Sequence, residues 1–396
     1  MHYTPQRSHL TFLIISATLL RVIIALINSY LFSTPGAGYD ALGFDDTASH
    51  LANTGEMDSR NMTYTSLGKI YAVYLSFMYK FFVDSMFFGC LLSIAAWLIS
   101  VLLSIRLLDH LNVKLEYILI AVACFLFLPS SVTFTSLTLR ESYQMLFITL
   151  MVYSMIRFNY TKSALHFFLI FLWAFLAAYL HRILPLVTIG AIGLYFTYQS
   201  LINLNNPAKK LRTYILLLGI ISLILLSSSV LNAFGFSLDK GFFTLIIQQQ
   251  VGLLGDGDGA RSFYRKEAID IDSFFELLYF FPQAFIQYFI EPTPWKWGSL
   301  MDIILSFENL LRIVFIFLTT YYLFFSEDDV RLKKTIGLIF ILYIFIEFIW
   351  SIGTINWGTA ARHHLPAINL LLICSAPALS FFFRSENLRH SSPEVR

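Results

Sequence analysis

Charged residues are scarce in this chain. Only 13% of its 396 residues are Asp, Glu, Lys or Arg, whereas about a quarter is usual in soluble proteins. In contrast, 57% of the residues are hydrophobic and the mean hydropathy is +0.69. One soluble core cannot hide so much apolar surface. The composition therefore excludes a soluble globular protein and predicts that lipid is the solvent.

Cysteine is also scarce, and the net charge is small. The three cysteines, Cys90, Cys124 and Cys374, lie in apolar runs without metal-ligand spacing or an obvious pairing, so we interpret them as small core residues. A net charge of +2 is too small to indicate a nucleic-acid partner. The first apolar run lacks a small-residue cleavage site, which favours a retained helix over a signal peptide.

Long apolar runs dominate what remains. A spanning helix needs about 20 mostly apolar residues, and by that rule the chain has about ten spans, within a range of about nine to twelve. We expect an all-α, polytopic integral membrane bundle that forms a single transmembrane domain over residues 1–396. The predicted spans are 9–32, 85–108, 115–133, 142–157, 164–180, 183–201, 212–231, 302–325, 334–351 and 365–383.

Lys and Arg recur in a set of short loops, which places these loops and both termini in the cytoplasm. Two long loops, 33–84 and 232–301, mix basic with acidic residues and are expected outside. Each contains an amphipathic or aromatic segment, at 67–83 and 271–290, that is typical of an interfacial helix. If 271–290 spans the membrane instead, every later assignment is inverted.

The first long loop begins with a cluster of carboxylates. Apolar residues recur at helical spacing through 38–55, and Gly55 fits a helix stop. Asp40, Asp45 and Asp46 lie on this segment, at a membrane surface where charge is costly and usually has a purpose. Capping of the helix or simple solvation is the alternative interpretation.

Cationic residues are expected at the same face. Arg140-Glu141 opens an apolar helix, and a glycine-punctuated loop brings Arg362-His363 to the last span. Arginine binds phosphate with two parallel hydrogen bonds, although snorkelling, an Arg–Glu clamp or interface anchoring are alternatives. Further candidate binding residues are Lys69, Arg182, Arg261 and Arg265.

The loop 255–261 has the spacing of a calcium site in part. Ala260 and Arg261 stand where a ligand and a glycine are required. We therefore predict no metal site there, and a loop that orders on substrate is the preferred interpretation.

The first-loop helix resembles the glycosyltransferase C superfamily, polytopic membrane enzymes that use polyprenyl-phosphate-linked sugars. The resemblance rests on an Asp, an aromatic, a small residue and a closing Gly, which here are Asp40, Phe44, Ala48 and Gly55. The Pro-rich turn that often follows is missing from 65–69.

The resemblance implies an inverting sugar transfer at the periplasmic face of a bacterial inner membrane. Asp40 is implied as general base, with Asp45 and Asp46 as rivals, while Arg140 and Arg362 stabilise the leaving phosphate with Lys69 or His363 in support. No cofactor is required, although the carboxylates are candidates for holding Mg²⁺ or Mn²⁺. The expected partners are a polyprenyl-phosphate-linked sugar or oligosaccharide, a glycan or lipid acceptor, and membrane lipid.

Two other functions remain open. An O-antigen or exopolysaccharide polymerase joins lipid-linked repeat units at the same face, with a greater role for arginine. A transporter of lipid-linked glycans is expected to bury charge at mid-membrane and to repeat its halves. Only Arg21 and Arg312 are strong mid-span candidates, and we find no repeated halves.

Overall fold

The chain folds as helices throughout the part that the structure describes. The structure is a computed structural model that describes residues 5–32, 38–56, 66–181, 183–202, 262–264 and 274–390. These residues form fourteen α-helices. In chain order they are α1 Pro5–Tyr30, α2 Gly38–Thr54, α3 Ser66–Phe81, α4 Met86–His110, α5 Leu115–Leu126, α6 Pro129–Thr135, α7 Glu141–Thr161, α8 Ala164–Ala178, α9 Leu184–Ile202, α10 Phe274–Ile290, α11 Leu300–Phe325, α12 Val330–Gly353, α13 Trp357–His363 and α14 Leu365–His390.

Five of these helices are long and apolar enough to cross a membrane. They lie within α1, α4, α11, α12 and α14, and the bent pair α5–α6 makes a sixth candidate. The all-α class is thereby confirmed for the described residues, and the apolar helices are consistent with the expected membrane protein. The expected count of about ten spans is not confirmed, since α8 is short and 212–231 lies outside the described residues.

Helix α14 forms the centre of the bundle. In its most apolar stretch 83% of the residues are buried, against 22% in α1. Asn369 of α14 donates from Nδ2 to Ser100 Oγ of α4 at 2.9 Å and to Thr149 Oγ1 of α7 at 3.2 Å. Polar side chains therefore join three central helices, and each of these side chains has its hydrogen-bond partner inside the bundle.

The predicted span 115–133 is broken into α5 and α6, which meet at 66°. Pro129 begins α6 and disfavours a helical conformation in the residue before it. Arg21 of α1 is fully buried at the break. Its guanidinium donates to the Leu126 carbonyl at 3.1 Å and lies 3.5 Å from the centre of a Trp97 ring.

A carboxylate accepts hydrogen bonds on the other side of the break, at the start of α6. Glu308 of α11 accepts from the Ser130 backbone N–H at 2.6 Å and from Ser130 Oγ at 2.5 Å, and it pairs with Arg312 at 2.9 Å. A helix is partially negative at its C-terminus and positive at its N-terminus. The cation at the end of α5 and the anion at the start of α6 therefore each match the local field.

The predicted first-loop helix is confirmed as α2. Gly55 follows it with φ of 74°, the left-handed conformation that glycine adopts at little cost. Phe44 and Ala48 are buried, and Phe44 meets Tyr71 of α3 edge-on at 5.0 Å between ring centroids. Packing of α2 on α3 determines which of its carboxylates faces the bundle.

Replacing Glu308 should destabilise the bundle strongly. Glu308→Ala leaves the buried Arg312 without its carboxylate and the start of α6 without its cap, and we expect the free energy of unfolding to fall by about 3–5 kcal/mol. Thermal unfolding of the purified protein in detergent measures the effect. Glu116→Ala is the control because Glu116 forms an exposed pair with Lys114 at 3.9 Å. Equal melting temperatures for both variants would contradict the proposed role of Glu308.

Candidate active site

Arg362 joins two carboxylates from distant parts of the chain. Its Nη1 donates to Asp40 Oδ2 of α2 at 2.5 Å. Its Nε and Nη2 donate to Glu141 Oε1 at 3.1 and 2.6 Å. The ends of α2, α7 and α13 therefore meet at one point.

The three side chains differ in their access to solvent. The side chain of Asp40 is 39% exposed, that of Arg362 17% and that of Glu141 5%. Glu141 is thus the buried anchor, and Asp40 is the member that a ligand can reach. Three hydrogen bonds to the carboxylates leave one N–H on each Nη of the guanidinium, which carries five in all.

The arginines hold Asp40 in its ionised form. Burial raises the pKa of Asp40, but the charge and hydrogen bond of Arg362 and the charge of Arg140 outweigh it, so the pKa lies below its usual value. Burial lowers the pKa of Arg362, but Glu141 and Asp40 bring it above the usual value. The cluster therefore contains a permanent cation and an accessible carboxylate that is charged at neutral pH.

Arg140 lies directly before α7, at the same end of the bundle. Its Cζ atom is 5.5 Å from the centre of the Phe44 ring of α2, and its charge influences both Asp40 and His363. With Arg140 included, two cations match two carboxylates. A bound phosphate would therefore meet two arginines rather than one isolated charge.

His363 is held as a neutral ring. Thr354 Oγ1 donates to the Trp350 carbonyl at 2.7 Å, so its hydroxyl is left to accept from His363 Nδ1, also at 2.7 Å. The imidazole stacks on Trp350 with centroids 4.1 Å apart. Burial lowers the pKa of His363 and the charges of Arg362 and Arg140 lower it further. Its Nε2 is consequently a hydrogen-bond acceptor.

The neighbouring histidine points elsewhere. His364 Nδ1 lies 2.6 Å from Glu347 Oε2 of α12, and both side chains are fully buried. Tyr288 of α10 packs on the His364 ring at 4.1 Å between centroids. The two histidines therefore have separate environments, and only His363 belongs to the cluster around Arg362.

The side chains of Asp45 and Asp46 point in different directions from that of Asp40. Tyr79 donates to Asp45 Oδ1 at 2.5 Å, while Asp46 is exposed. Burial raises the pKa of Asp45 to about 6; the hydrogen bond from Tyr79 opposes the rise and the charges of Asp46 and Asp84 add to it. Asp45 is thus a carboxylate that titrates near neutral pH, on the α3 side of the helix.

A cavity of about 270 Å³ adjoins the cluster, with Arg362 in its wall. It lies between α6, α11 and α13, and Asn356 stands at its edge as the residue that caps α13 through the Thr359 backbone N–H at 2.6 Å. The other lining residues are Ser130, Thr133, Phe134, Met301, Leu305, Gly358, Thr359 and Ala361.

A short stretch of the second long loop reaches the same end of the bundle. Tyr264 N–H donates to the Ile355 carbonyl at 2.8 Å, and Trp357 N–H donates to the Ser262 carbonyl at 3.1 Å. Trp357 Nε1 also donates to Asp302 Oδ1 at 3.0 Å. These bonds fix the start of α13 and hence the position of Arg362, which lies three residues before α14 begins.

The structure brings together five of the predicted site residues: Asp40, Arg140, Glu141, Arg362 and His363. Asp45 and Asp46 stay on the same helix but outside the ion pair. Lys69 lies in α3, and its side chain is outside the described part of the structure. Arg182, Arg261, Arg265 and the loop 255–261 are also outside the described residues.

Sequence reasoning missed the polar residues of the cavity and the partner of Asp45. Thr133 lies in a helix rich in Ser and Thr, and Tyr79 lies in an amphipathic helix. In neither helix does the pattern distinguish a ligand-facing side chain from a packed one. Asn356 and Thr359 lie within the glycine-punctuated loop that was singled out for Arg362. The signal there was a polar, glycine-rich stretch between two apolar helices.

No group of three or more His, Cys, Asp and Glu side chains in the described residues is arranged to hold a metal ion. No protein-family model, curated protein or solved structure matches the chain.

The raised pKa of Asp45 predicts a specific pH dependence of stability. A carboxyl whose pKa is raised on folding stabilises the protein fully below its unfolded pKa, and this contribution is lost as the pH rises from about 4 to about 6. Asp45→Asn should remove that part of the decline in melting temperature. Glu116→Gln is the control and should keep the wild-type decline, because Glu116 is exposed and its charge is not among those that shift the pKa of Asp45. An unchanged profile in Asp45→Asn would show that Asp45 is not buried as described.

Proposed function

We propose that the protein is a membrane glycosyltransferase that moves a sugar from a polyprenyl-phosphate or polyprenyl-diphosphate donor to a glycan or lipid acceptor. One observation carries the proposal. An accessible, ionised carboxylate, Asp40, is bound to a permanent cation, Arg362, beside a second arginine at the end of a bundle of apolar helices. A hydroxyl acceptor needs the carboxylate, and a phosphate leaving group needs the arginines.

Asp40 acts as general base in a single displacement. Its carboxylate accepts the proton of the acceptor hydroxyl, whose oxygen forms a bond to the anomeric carbon. The bond from that carbon to the phosphate oxygen breaks, and the phosphate leaves with the electron pair. Attack opposite the leaving group inverts the anomeric configuration. Arg362 keeps Asp40 ionised and fixes its direction.

Arg140 and Arg362 stabilise the departing phosphate. Arg362 retains one N–H on each Nη after binding its carboxylates, and Arg140 contributes a second cation. Preorganised donors of this kind are usually the largest single contribution to catalysis. No cofactor enters this scheme. The carboxylates of α2 are the residues that would hold Mg²⁺ or Mn²⁺, and such an ion would supply further positive charge for the leaving phosphate.

We place the site at the extracytoplasmic face of a bacterial inner membrane. Glu141 and Thr161 are the first and last residues of α7, which at 1.5 Å per residue is about 30 Å long, the thickness of a hydrocarbon core. The end that carries Arg157 and Lys162 belongs to the short basic loops. The cluster at the other end is consequently outside the cytoplasm by the positive-inside rule.

A polymerase that joins lipid-linked repeat units is the second candidate. The convergence of Arg140 and Arg362 at one site favours it, because such an enzyme relies on arginine to neutralise a diphosphate leaving group. Both candidates share the donor chemistry and differ in the size of the transferred unit.

Loss of the base should abolish transfer. We expect Asp40→Asn to lower the rate of glycan synthesis by at least about 100-fold, the usual minimum contribution of general-base catalysis. The matched control is Asp46→Asn, which removes an exposed carboxylate from the same helix and should keep most of the activity. Complementation of a deletion strain, followed by analysis of its glycans and lipid intermediates, provides the measurement.

The same strain separates the candidates. A mature glycan that lacks one residue indicates the transferase, and an accumulated, unpolymerised lipid-linked repeat unit indicates the polymerase. If Asp40→Asn is fully active while Asp45→Asn is inactive, the base has been assigned to the wrong carboxylate. A rate that increases through about pH 6 would agree with that second outcome, since Asp45 titrates there.

The proposed orientation predicts opposite labelling of the two ends of the bundle. Asp46 and Lys162 are both exposed, the first beside the cluster and the second at the far end of α7. In right-side-out spheroplasts, a membrane-impermeant maleimide should label the Asp46→Cys variant at once and the Lys162→Cys variant only after lysis. The wild-type protein gives the background, because its cysteines are buried or half-buried. The reverse pattern would place the site in the cytoplasm.

A further inference from the structure

Three polar groups in the wall of the cavity beside Arg362 have no hydrogen-bond partner among the described residues. The hydroxyls of Thr133 and Thr359 make no side-chain hydrogen bond with any other described residue, and Asn356 uses its Oδ1 as a cap and leaves its NH₂ group uncommitted. Ser130, in contrast, is fully engaged with Glu308 and Arg312. Uncommitted donors and acceptors around a cavity are typical of a ligand site.

The remaining wall is apolar and uncharged. Phe134, Met301 and Leu305 line it, and the Cζ atom of Arg362 lies 6.0 Å from the centre of the Phe134 ring. Among the described residues, Arg362 is the single charged residue in the lining. The matching ligand therefore has a neutral body with hydroxyl groups and apolar C–H surfaces, and its negative charge is confined to the end at Arg362.

We propose that this cavity, on the α6 and α11 side of Arg362, holds a single sugar residue of the lipid-linked donor. A hexose presents hydroxyls to Thr133, Asn356 and Thr359 and a C–H face to Phe134, while its anomeric phosphate lies at Arg362. This inference rests on the proposed function and adds the substrate's size and the residues that select it.

The size of the cavity separates a monosaccharide from a repeat unit. Its volume is about 270 Å³, just below the roughly 300 Å³ at which pockets for drug-sized ligands begin. One sugar ring matches this volume, so we assign the cavity to a single ring of the donor. A single-ring donor is the substrate of the transferase rather than of the polymerase.

Gly358 allows the cavity to be filled without strain. It lies in the first turn of α13, and a Cβ atom built on it meets a single described atom within 4 Å, Asn356 Oδ1 at 3.4 Å. Gly358→Val thus projects its methyl groups into the cavity. Met301→Ala enlarges the cavity, because it shortens a side chain that lines the wall. Met301 is exposed, so the loss of packing is small.

The test measures binding to the full-length protein in lipid nanodiscs. The probes are farnesyl phosphate alone and farnesyl phosphate linked to glucose, galactose, mannose or N-acetylglucosamine, or to a disaccharide of glucose. We expect at least one monosaccharide conjugate to bind about tenfold more tightly than farnesyl phosphate, since it gains several hydrogen bonds. The disaccharide should gain nothing further.

Substitutions in the cavity wall should change the tenfold advantage of the monosaccharide conjugate without changing the affinity for farnesyl phosphate. Gly358→Val should remove the tenfold advantage and leave the dissociation constant of farnesyl phosphate within about twofold. Thr359→Val should remove part of it, and Thr335→Val, a threonine outside the cavity, none. Met301→Ala should improve binding of the disaccharide relative to the monosaccharide. A variant that was merely destabilised would weaken all probes alike.

The outcomes distinguish the two proposals. If farnesyl phosphate binds and no sugar tightens it, or if Gly358→Val leaves the gain intact, the cavity is not the sugar site and the proposed function stands. If neither farnesyl phosphate nor any conjugate binds, the lipid-phosphate function fails and the inference fails with it.

Discussion

The break between α5 and α6 leaves backbone carbonyls and amides without partners inside an apolar bundle, where each unsatisfied group is costly. Arg21 and Glu308 satisfy both sides through hydrogen bonds to Leu126 and Ser130. The position of α6, and of the loop that leads from it to Arg140 and Glu141, depends on these bonds. The site and the cavity follow from them, because α6 supplies Thr133 and Phe134 to the cavity wall. The buried charges of Arg21 in α1 and of Glu308 and Arg312 in α11 thereby have an architectural role.

In the cluster around Arg362, at the end of the bundle, charges of opposite sign also compensate each other. Glu141 and Asp40 compensate the guanidinium, and Arg140 brings the four formal charges to balance. Such a cluster is stable without ligand, and its most exposed member is the carboxylate that the proposed chemistry requires. The charge of a phosphate would be added on the side of Arg362 that faces the cavity. Stability and proposed catalysis thus use the same ion pair, with the buried Glu141 as its fixed end.

Several predictions from periodicity agree with the structure. The apolar stripe through Phe44 and Ala48 and the stop at Gly55 predicted α2, since both signals are local. The span predicted over 115–133 was wrong in shape, because its hydropathy is continuous across the break and Pro129 alone does not require one. The choice of Asp40 over Asp45 and Asp46 came from a resemblance. The structure separates the three physically, since successive helical positions point about 100° apart and only Asp40 faces Arg362.

The sequence by itself determined the membrane environment, the helical class and the set of charged residues at the helix ends. These follow from composition and from patterns within about 20 residues. Only the tertiary structure decided that Glu141 pairs with Arg362 across 221 positions, that Asp40 shares the same guanidinium, and that Thr133, Asn356 and Thr359 line one cavity. Such pairings depend on how helices pack in three dimensions. No local sequence pattern encodes these pairings, because the partners lie in helices that are far apart along the chain.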